Sequence, residues 1–292
     1  MSTCDLCGGP LASRLVKGGL SVVACRPCKL ARLSTNGQEQ GDPVHRYRTA
    51  SYFEFWGDDH EATREQKKRT AWHLLERLER ARLGRRGRLL EVGCASGELL
   101  EVAIARGWDV AGVEPCVPMA KRANARLRSD VVQAVPFGEV ACAAESADAV
   151  VFNDVLEHLP DLREALSAAH RLLARGGTVL VCTPDLESAS ARLMGPLWTH
   201  YKAEHLHYLS KTSMRRYIEL SGFRLVSIED AWKSLSPAYI AEHMRVYGSI
   251  PGVGIVASLV RLLPRTFRHA PIPLLTGNLL AIAEKPGHAA RD

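Results

Sequence analysis

Long apolar runs are missing from this chain of 292 residues, and none reaches the ~18 residues that a membrane-spanning helix needs. The first residues are polar and include cysteine, without the basic-then-apolar profile of a secretion signal, so a cytoplasmic protein is expected. Internal repeats and low-complexity tracts are absent too, which sets aside repeat arrays. There is no single basic block. The net charge of +6 and the pI near 8.9 come from arginines scattered along amphipathic stretches, which read as solvated helix faces and favour anionic partners only mildly. What the chain does have is apolar content, 46% of its residues, in 32.0 kDa. That is enough for one α/β core and a small accessory unit.

The eight cysteines fall into two groups. Cys94, Cys116, Cys142 and Cys182 sit singly among apolar residues, where a small soft side chain packs well. Cys4, Cys7, Cys25 and Cys28 form two Cys-x-x-Cys pairs separated by 17 residues. In a chain expected in a reducing compartment, this spacing points to a tetrahedral four-thiolate zinc site. Gly8 and Gly9 suit a tight knuckle. Leu11 to Val16 and Leu20 to Ala24 flank Lys17-Gly18-Gly19 as a β-hairpin. The unit, residues 1–34, reads as a zinc ribbon whose folding energy comes from a structural metal with no open coordination position.

Residues 35–84 read as a linker followed by a helix. The linker carries Tyr47, Tyr52, Phe53, Phe55 and Trp56, expected to pack the ribbon on the core or to cover a ligand. The helix shows an apolar stripe through Ala71, Leu74, Leu75 and Leu78.

From Leu89 the pattern becomes strand, Gly-rich turn, helix: Leu89 to Val92, then Gly93-Cys94-Ala95-Ser96-Gly97, then Leu99 to Ala105. A second strand, Asp109 to Val113, ends at Glu114, 23 residues after Glu91. A bare main-chain bend and an acid at the tip of the next strand are what a doubly wound sheet uses to hold a nucleotide. Further strands are expected at Val131–Gln133, Asp148–Asn153, Thr178–Cys182, Arg224–Asp230 and Asn278–Ala283, alternating with helices as a parallel doubly wound sheet. An excursion over 232–277, apolar and arginine-bearing, separates the last two. A cap over the substrate pocket, a dimer interface and contact with a membrane surface each explain it, in that order. The tail from His288 is expected to be disordered.

These motifs together resemble the class I S-adenosylmethionine-dependent methyltransferases. Glu91-x-Gly93-x-Ala95-x-Gly97 is similar to that family's cofactor loop and Glu114 to its ribose-binding acid. Asn153-Asp154-Val155-Leu156-Glu157-His158 resembles the fourth-strand signature of the ubiquinone-biosynthesis O-methyltransferase branch. Arg171-Leu172-Leu173-x-x-Gly176-Gly177, His205-Leu206-x-Tyr208-Leu209-Ser210 and Leu220-Ser221-Gly222-Phe223 resemble its later motifs. Ala95 stands where glycine is commoner, and directly after Gln133 there is no clear acidic residue to hold the adenine amine. The resemblance implies a seven-stranded Rossmann-like core over 85–286 and S-adenosylmethionine held by Glu91, Gly93, Cys94, Ala95, Gly97, Glu114, Pro115, Asn153 and Val155. It also implies methyl transfer to a hydroxyl, amine or carbon of a small-molecule, natural-product or glycan-type acceptor.

Such chemistry needs an aligned acceptor and a base. His158, one turn beyond the fourth strand, is a candidate base or acceptor-positioning residue; Glu157 beside it could bind a metal or orient a base, but reads more readily as a solvent-facing helix residue. In Trp198 to Tyr208, His205 or His200 could act as base within a substrate loop. The other reading of this segment is a divalent metal on one helical face of His200, Glu204 and His207. The alternative function is a zinc-ribbon RNA methyltransferase or nucleic-acid binder. Against it, the ribbon has few basic residues and no aromatic interleaving for base stacking.

Overall fold

The computed structural model describes residues 3–17, 19–34, 61–247 and 253–287. The expected linker over 35–60, its aromatic cluster and the tail from His288 lie outside the described residues. Seven strands form the central sheet: β4 (Arg88–Val92), β5 (Asp109–Val113), β6 (Val132–Gln133), β7 (Ala147–Asn153), β8 (Leu173–Pro184), β10 (Arg224–Leu235) and β11 (Ile272–Glu284). Their spatial order is β10-β11-β8-β7-β4-β5-β6. The five strands from β8 to β6 run parallel.

Successive side chains in these strands alternate between two apolar layers. Leu90, Val150 and Val181 belong to one buried cluster, while Leu89, Val151 and Leu180 belong to the other. Covering both faces with helices is why these strands read as unbroken apolar runs. The flanking helices are α1 (Glu61–Ala81), α2 (Glu98–Ala105), α3 (Val117–Leu127), α4 (Leu162–Leu172), α5 (Ala189–Met194) and α6 (Lys211–Leu220). The turn from α4 is shorter than the sequence suggests, because β8 begins at Leu173, which pairs with Ala147, and after an irregularity over Gly176-Gly177 the pairing resumes at Thr178 opposite Ala149.

Two expectations need correction. The sheet is not wholly parallel: β11 lies antiparallel between β8 and β10. β10 and β11 are joined by one chain reversal with no crossover over the sheet face, so they pair as a hairpin. The excursion is also shorter than 232–277, since β10 continues to Leu235 and β11 starts at Ile272, with Trp232 opposite Leu275 and Leu235 opposite Ile272. Between them lie α7 (Pro237–Tyr247), α8 (Val253–Leu262) and α9 (Arg265–Arg268).

The N-terminal unit is a second, four-stranded sheet: β1 (Ala12–Lys17), β2 (Leu20–Cys25), β3 (Leu30–Leu33) and β9 (His207–Tyr208), in that order. The hairpin is present as expected, but β3 and β9 are additions that the sequence did not signal. β9 comes from the histidine-rich loop of the core and pairs Ala31 with Tyr208 and Arg32 with His207. Behind this seam Val22, Ala31 and Leu33 pack with Leu186, Trp198 and Tyr208. The ribbon is therefore continuous with the core through both hydrogen bonds and apolar contact.

Helix α1 carries residues that face the site and is fixed at its far end by Glu79. This buried carboxylate accepts from the Arg106 guanidinium at 2.7 and 2.8 Å and from the Trp108 indole at 3.1 Å. Those bonds outweigh burial and hold its pKa down at about 2. Glu79→Ala leaves Arg106 and Trp108 without their acceptor and should cost about 3 kcal/mol, read as a lowered urea midpoint at neutral pH. The wild-type advantage should shrink as pH falls below the ordinary carboxylate value, because a depressed pKa stabilises only the ionised state.

Candidate active site

A cavity of about 340 Å³ opens at the carboxyl ends of β4, β5 and β7, the side of a doubly wound sheet where ligands bind. Its floor is the turn after β4. The amides of Gly93 and Cys94 both donate to the Val113 carbonyl, at 2.8 and 3.2 Å, which folds the turn back over β5. Gly93, Ala95 and Gly97 all take positive φ, and Ala95 tolerates it as a strained non-glycine. The glycines have different reasons for lacking a side chain. A Cβ on Gly93 would lie 2.6 Å from Val155, within the cavity wall, whereas one on Gly97 would meet Ala123 of α3 at 3.1 Å. Gly97 thus serves helix packing, and it is the one expected cofactor residue that does not line the cavity. Glu91, Gly93, Cys94, Ala95, Glu114, Pro115, Asn153 and Val155 all do.

Three buried carboxylates stand together here. Glu114 accepts from the Ala95 amide through one oxygen and the Cys116 amide through the other, both at 2.9 Å. Burial still raises its pKa to about 7. Glu91 is raised well above the usual range by burial, then by Glu98 and Glu114. Glu98, which the sequence reading passed over, also lines the cavity. Burial opposes its charge, but Lys67, Arg126 and the Ser96 hydroxyl prevail and lower its pKa. Buried acceptor oxygens on Glu91 and Asn153 have no protein partner. A cavity lined with carboxylates and unpaired acceptors suits a ligand carrying positive charge and several donors.

The wall beyond β6 was not foreseen either. Gln133 closes the following loop by bonding both the amide and the carbonyl of Ala141, so Pro136 and Phe137 reach the cavity. Phe137 is held edge-on against Phe152 at 5.5 Å. A lone Phe in an aperiodic stretch gave no period to read.

Past β7, Asp154 adopts positive φ. Its carboxylate receives Lys233 at 2.5 and 2.7 Å and the Asn278 amide at 3.0 Å. Burial opposes the charge of Lys233, yet Asp154 raises its pKa. Asp154, His158, Lys233 and Tyr239 line the cavity together, joined by Gln66, Lys67 and Thr70 from α1. Lys233 and Tyr239 come from the excursion, which had no motif to mark them.

His158 donates from Nδ1 to the Glu204 carbonyl at 2.8 Å, which leaves Nε2 as the basic nitrogen. Burial lowers its pKa. His205 packs edge-on against it at 4.8 Å and stacks on His200 at 5.9 Å, and His243 of α7 stands 6.3 Å from His200. Burial drives His200 and His205 well below the usual value, helped by Lys202 at His200 and by His158 and then Lys202 at His205. Neither lines the cavity.

Two readings of this segment fail. Residues 200–206 are turns and irregular chain rather than helix, and His207 turns away to donate to the Pro160 carbonyl at 3.2 Å. His200, Glu204 and His207 therefore share no helical face. Glu157 is not solvent-facing: it is 1% exposed and accepts from the Thr183 hydroxyl at 2.8 Å. The strand end curls inward there through a single short turn, Leu156–His158. Glu157, His158 and His205 come close enough to form a three-donor group.

In the ribbon, Cys4, Cys7, Cys25 and Cys28 converge, and no cysteine of the chain is in a disulfide. A Cβ on Gly9 would sit 3.2 Å from Cys7 Sγ, and Arg216 of α6 donates to Cys28 Sγ at 3.0 Å. Four soft donors in a glycine-lined knuckle are compatible with a zinc ribbon.

The sequence matches the methyltransferase domain family over residues 63–228. It is 34% identical over 103 residues to a ubiquinone biosynthesis O-methyltransferase of Pseudomonas aeruginosa (strain UCBPP-PA14), a match taking in 33% of this chain and 44% of the relative. A protein of the same description from Rhizobium etli is 28% identical over 110 residues, 36% of this chain and 44% of its own. The chain thus spans under half the length of these curated relatives. Among solved structures, a SAM-dependent methyltransferase of Thermotoga maritima superposes with a TM-score of 0.53 at 18% identity, covering 81% of this chain and all of that one. One from Archaeoglobus fulgidus gives 0.50 at 20% identity, covering 76% and 94%.

The carboxylate cluster carries a pH signature. A raised carboxyl pKa means the folded state holds protons that the unfolded state has released, so stability falls as pH rises from about 4.5 through the folded value. Glu91→Gln removes that penalty, and its melting temperature should exceed wild type at pH 8 by a few degrees and converge with it at pH 5. Equal melting curves at pH 8 would contradict the burial of charge at Glu91.

Proposed function

Because this chain belongs to the methyltransferase domain family and has the class I methyltransferase fold, we propose that it transfers the methyl group of S-adenosylmethionine to a hydroxyl of a small-molecule acceptor. Natural products and glycan precursors are included in that class. The observation that carries this reading is one cavity lined both by the Glu91, Glu98 and Glu114 carboxylates and by the Asp154, His158, Lys233 and Tyr239 group. Glu114 would take the ribose hydroxyls, and Glu91 and Asn153 would receive donors from the amino-acid end. Pro136 and Phe137 supply an apolar wall for the base. When bound, S-adenosylmethionine supplies an activated methyl on a good leaving group, so the protein is left to orient the acceptor and exclude water.

A hydroxyl acceptor is supported by the relatives, which are named as O-methyltransferases, and by the state of His158. Burial keeps its imidazole neutral near pH 7, and its Nδ1 bond to Glu204 orients the ring so that Nε2 can take the hydroxyl proton. His205 and His200 back this ring and position it. The ribbon serves as a wall on the substrate side: by pairing with His207-Tyr208 it holds the loop that supplies Glu204. Cys4, Cys7, Cys25 and Cys28 would hold a structural zinc, with Arg216 offsetting part of the thiolate charge.

Glu114→Ala should weaken binding of S-adenosylhomocysteine by about tenfold to a hundredfold in isothermal calorimetry, and normal affinity would overturn the ribose assignment. His158→Ala should keep that affinity within about twofold while lowering kcat by 10² or more, roughly the range for a lost general base. The acid limb of the wild-type rate profile should fall below pH 6.5, since the His158 pKa is lowered from its usual value. Elemental analysis should find one zinc per chain, and Cys25→Ser should lose both the metal and thermal stability.

A further inference from the structure

The excursion between β10 and β11 has a surface that methyl transfer does not use. From His243 to Ala283 the sequence contains four arginines and no carboxylate. Among the described side chains from 254 to 277 none is buried. Leu259 and Leu262, a helical turn apart on α8, are 59% and 80% exposed, and Phe267 on α9 is 68% exposed. Arg261, Arg265 and Arg268 stand among them. Helix α8 packs on α7, and α7 carries Tyr239 to the cavity, whereas among the described residues none of α8 or α9 lines it.

Large apolar side chains left in water at this density mark a surface awaiting a partner. A second copy of the chain is a poor candidate. A two-fold interface would set this arginine-rich segment against itself, and Glu242 of α7, which stands near Arg261, is already engaged by Arg245. An anionic bilayer meets both demands, because its headgroups attract the arginines and its acyl boundary accepts leucine and phenylalanine. We propose that α8 and α9 form a peripheral membrane-docking surface selective for anionic lipid. Leu259, Leu262 and Phe267 enter the headgroup boundary, and Arg261, Arg265 and Arg268 pair with lipid phosphates. Among the described residues no helix is long and apolar enough to span the membrane; the docking proposed here is superficial and reversible by salt because it rests on exposed side chains and surface charge.

The test is co-sedimentation of the full chain with vesicles of phosphatidylcholine, with and without phosphatidylglycerol. Binding to the anionic vesicles should be about tenfold stronger or more and should weaken sharply toward 1 M salt, where screening shortens to about 3 Å. The double variant Leu262→Glu with Phe267→Glu should lose that binding while its melting temperature stays within about two degrees of wild type, as expected for exposed positions. Arg261→Gln with Arg265→Gln should reduce binding to anionic vesicles and leave the phosphatidylcholine baseline unchanged. Equal binding to both vesicles, no binding to either, or binding that survives the double variant would overturn the proposal. So would a salt-stable dimer in light scattering that the same double variant splits, which would make the surface an interface between copies. No methyl transfer is read, so this outcome is independent of the catalytic reading.

Discussion

Burying Glu91, Glu98 and Glu114 at the ends of two adjacent strands is the constraint from which much of this molecule follows. Carboxylates in a dry site either take up protons or acquire counter-charge, and the three divide the options. Glu98 takes Arg126 and the neighbouring Lys67. Glu114 takes two main-chain amides, and Glu91 keeps an oxygen with no partner. A positively charged ligand with several donors, such as the proposed sulfonium, would pair with these groups.

The histidine-bearing wall is governed by burial. Around His158 desolvation prevails over the nearby Glu204 and Asp154 charges and lowers the imidazole pKa, and burial likewise pushes Lys202 down to about 8 and lowers His200, His205 and His243. One cavity wall thus favours positive charge and the neighbouring one keeps an imidazole unprotonated, the separation that the proposed transfer from a cationic donor to a neutral nucleophile would use.

The sheet, the loop after β4 and the cysteine head were legible because each rests on short-range pattern. Alternation of strands and helices, a turn with Gly93 and Gly97, and Cys-x-x-Cys spacing all speak within about ten residues. What escaped depends on contacts distant in sequence. Lys233 meets Asp154 only because β10 lies across the sheet, and β9 exists only because β3 offers it an edge. Glu157 looked exposed beside a polar histidine, and only the inward curl after β7 buries it. The antiparallel β11 was hidden because a strand's direction is set by its connection and not by its composition.

The seam between β3 and β9 has a practical consequence for dissecting the molecule. A fragment lacking the cysteine-bearing head would bare the His207-Tyr208 edge together with Trp198 and Leu186, and would strip Arg216 of its sulfur partner. An unpaired strand beside apolar side chains is a template for self-association. The boundary that looks like a natural cutting point is therefore one where trimming should yield a sticky remnant in place of a minimal catalytic core.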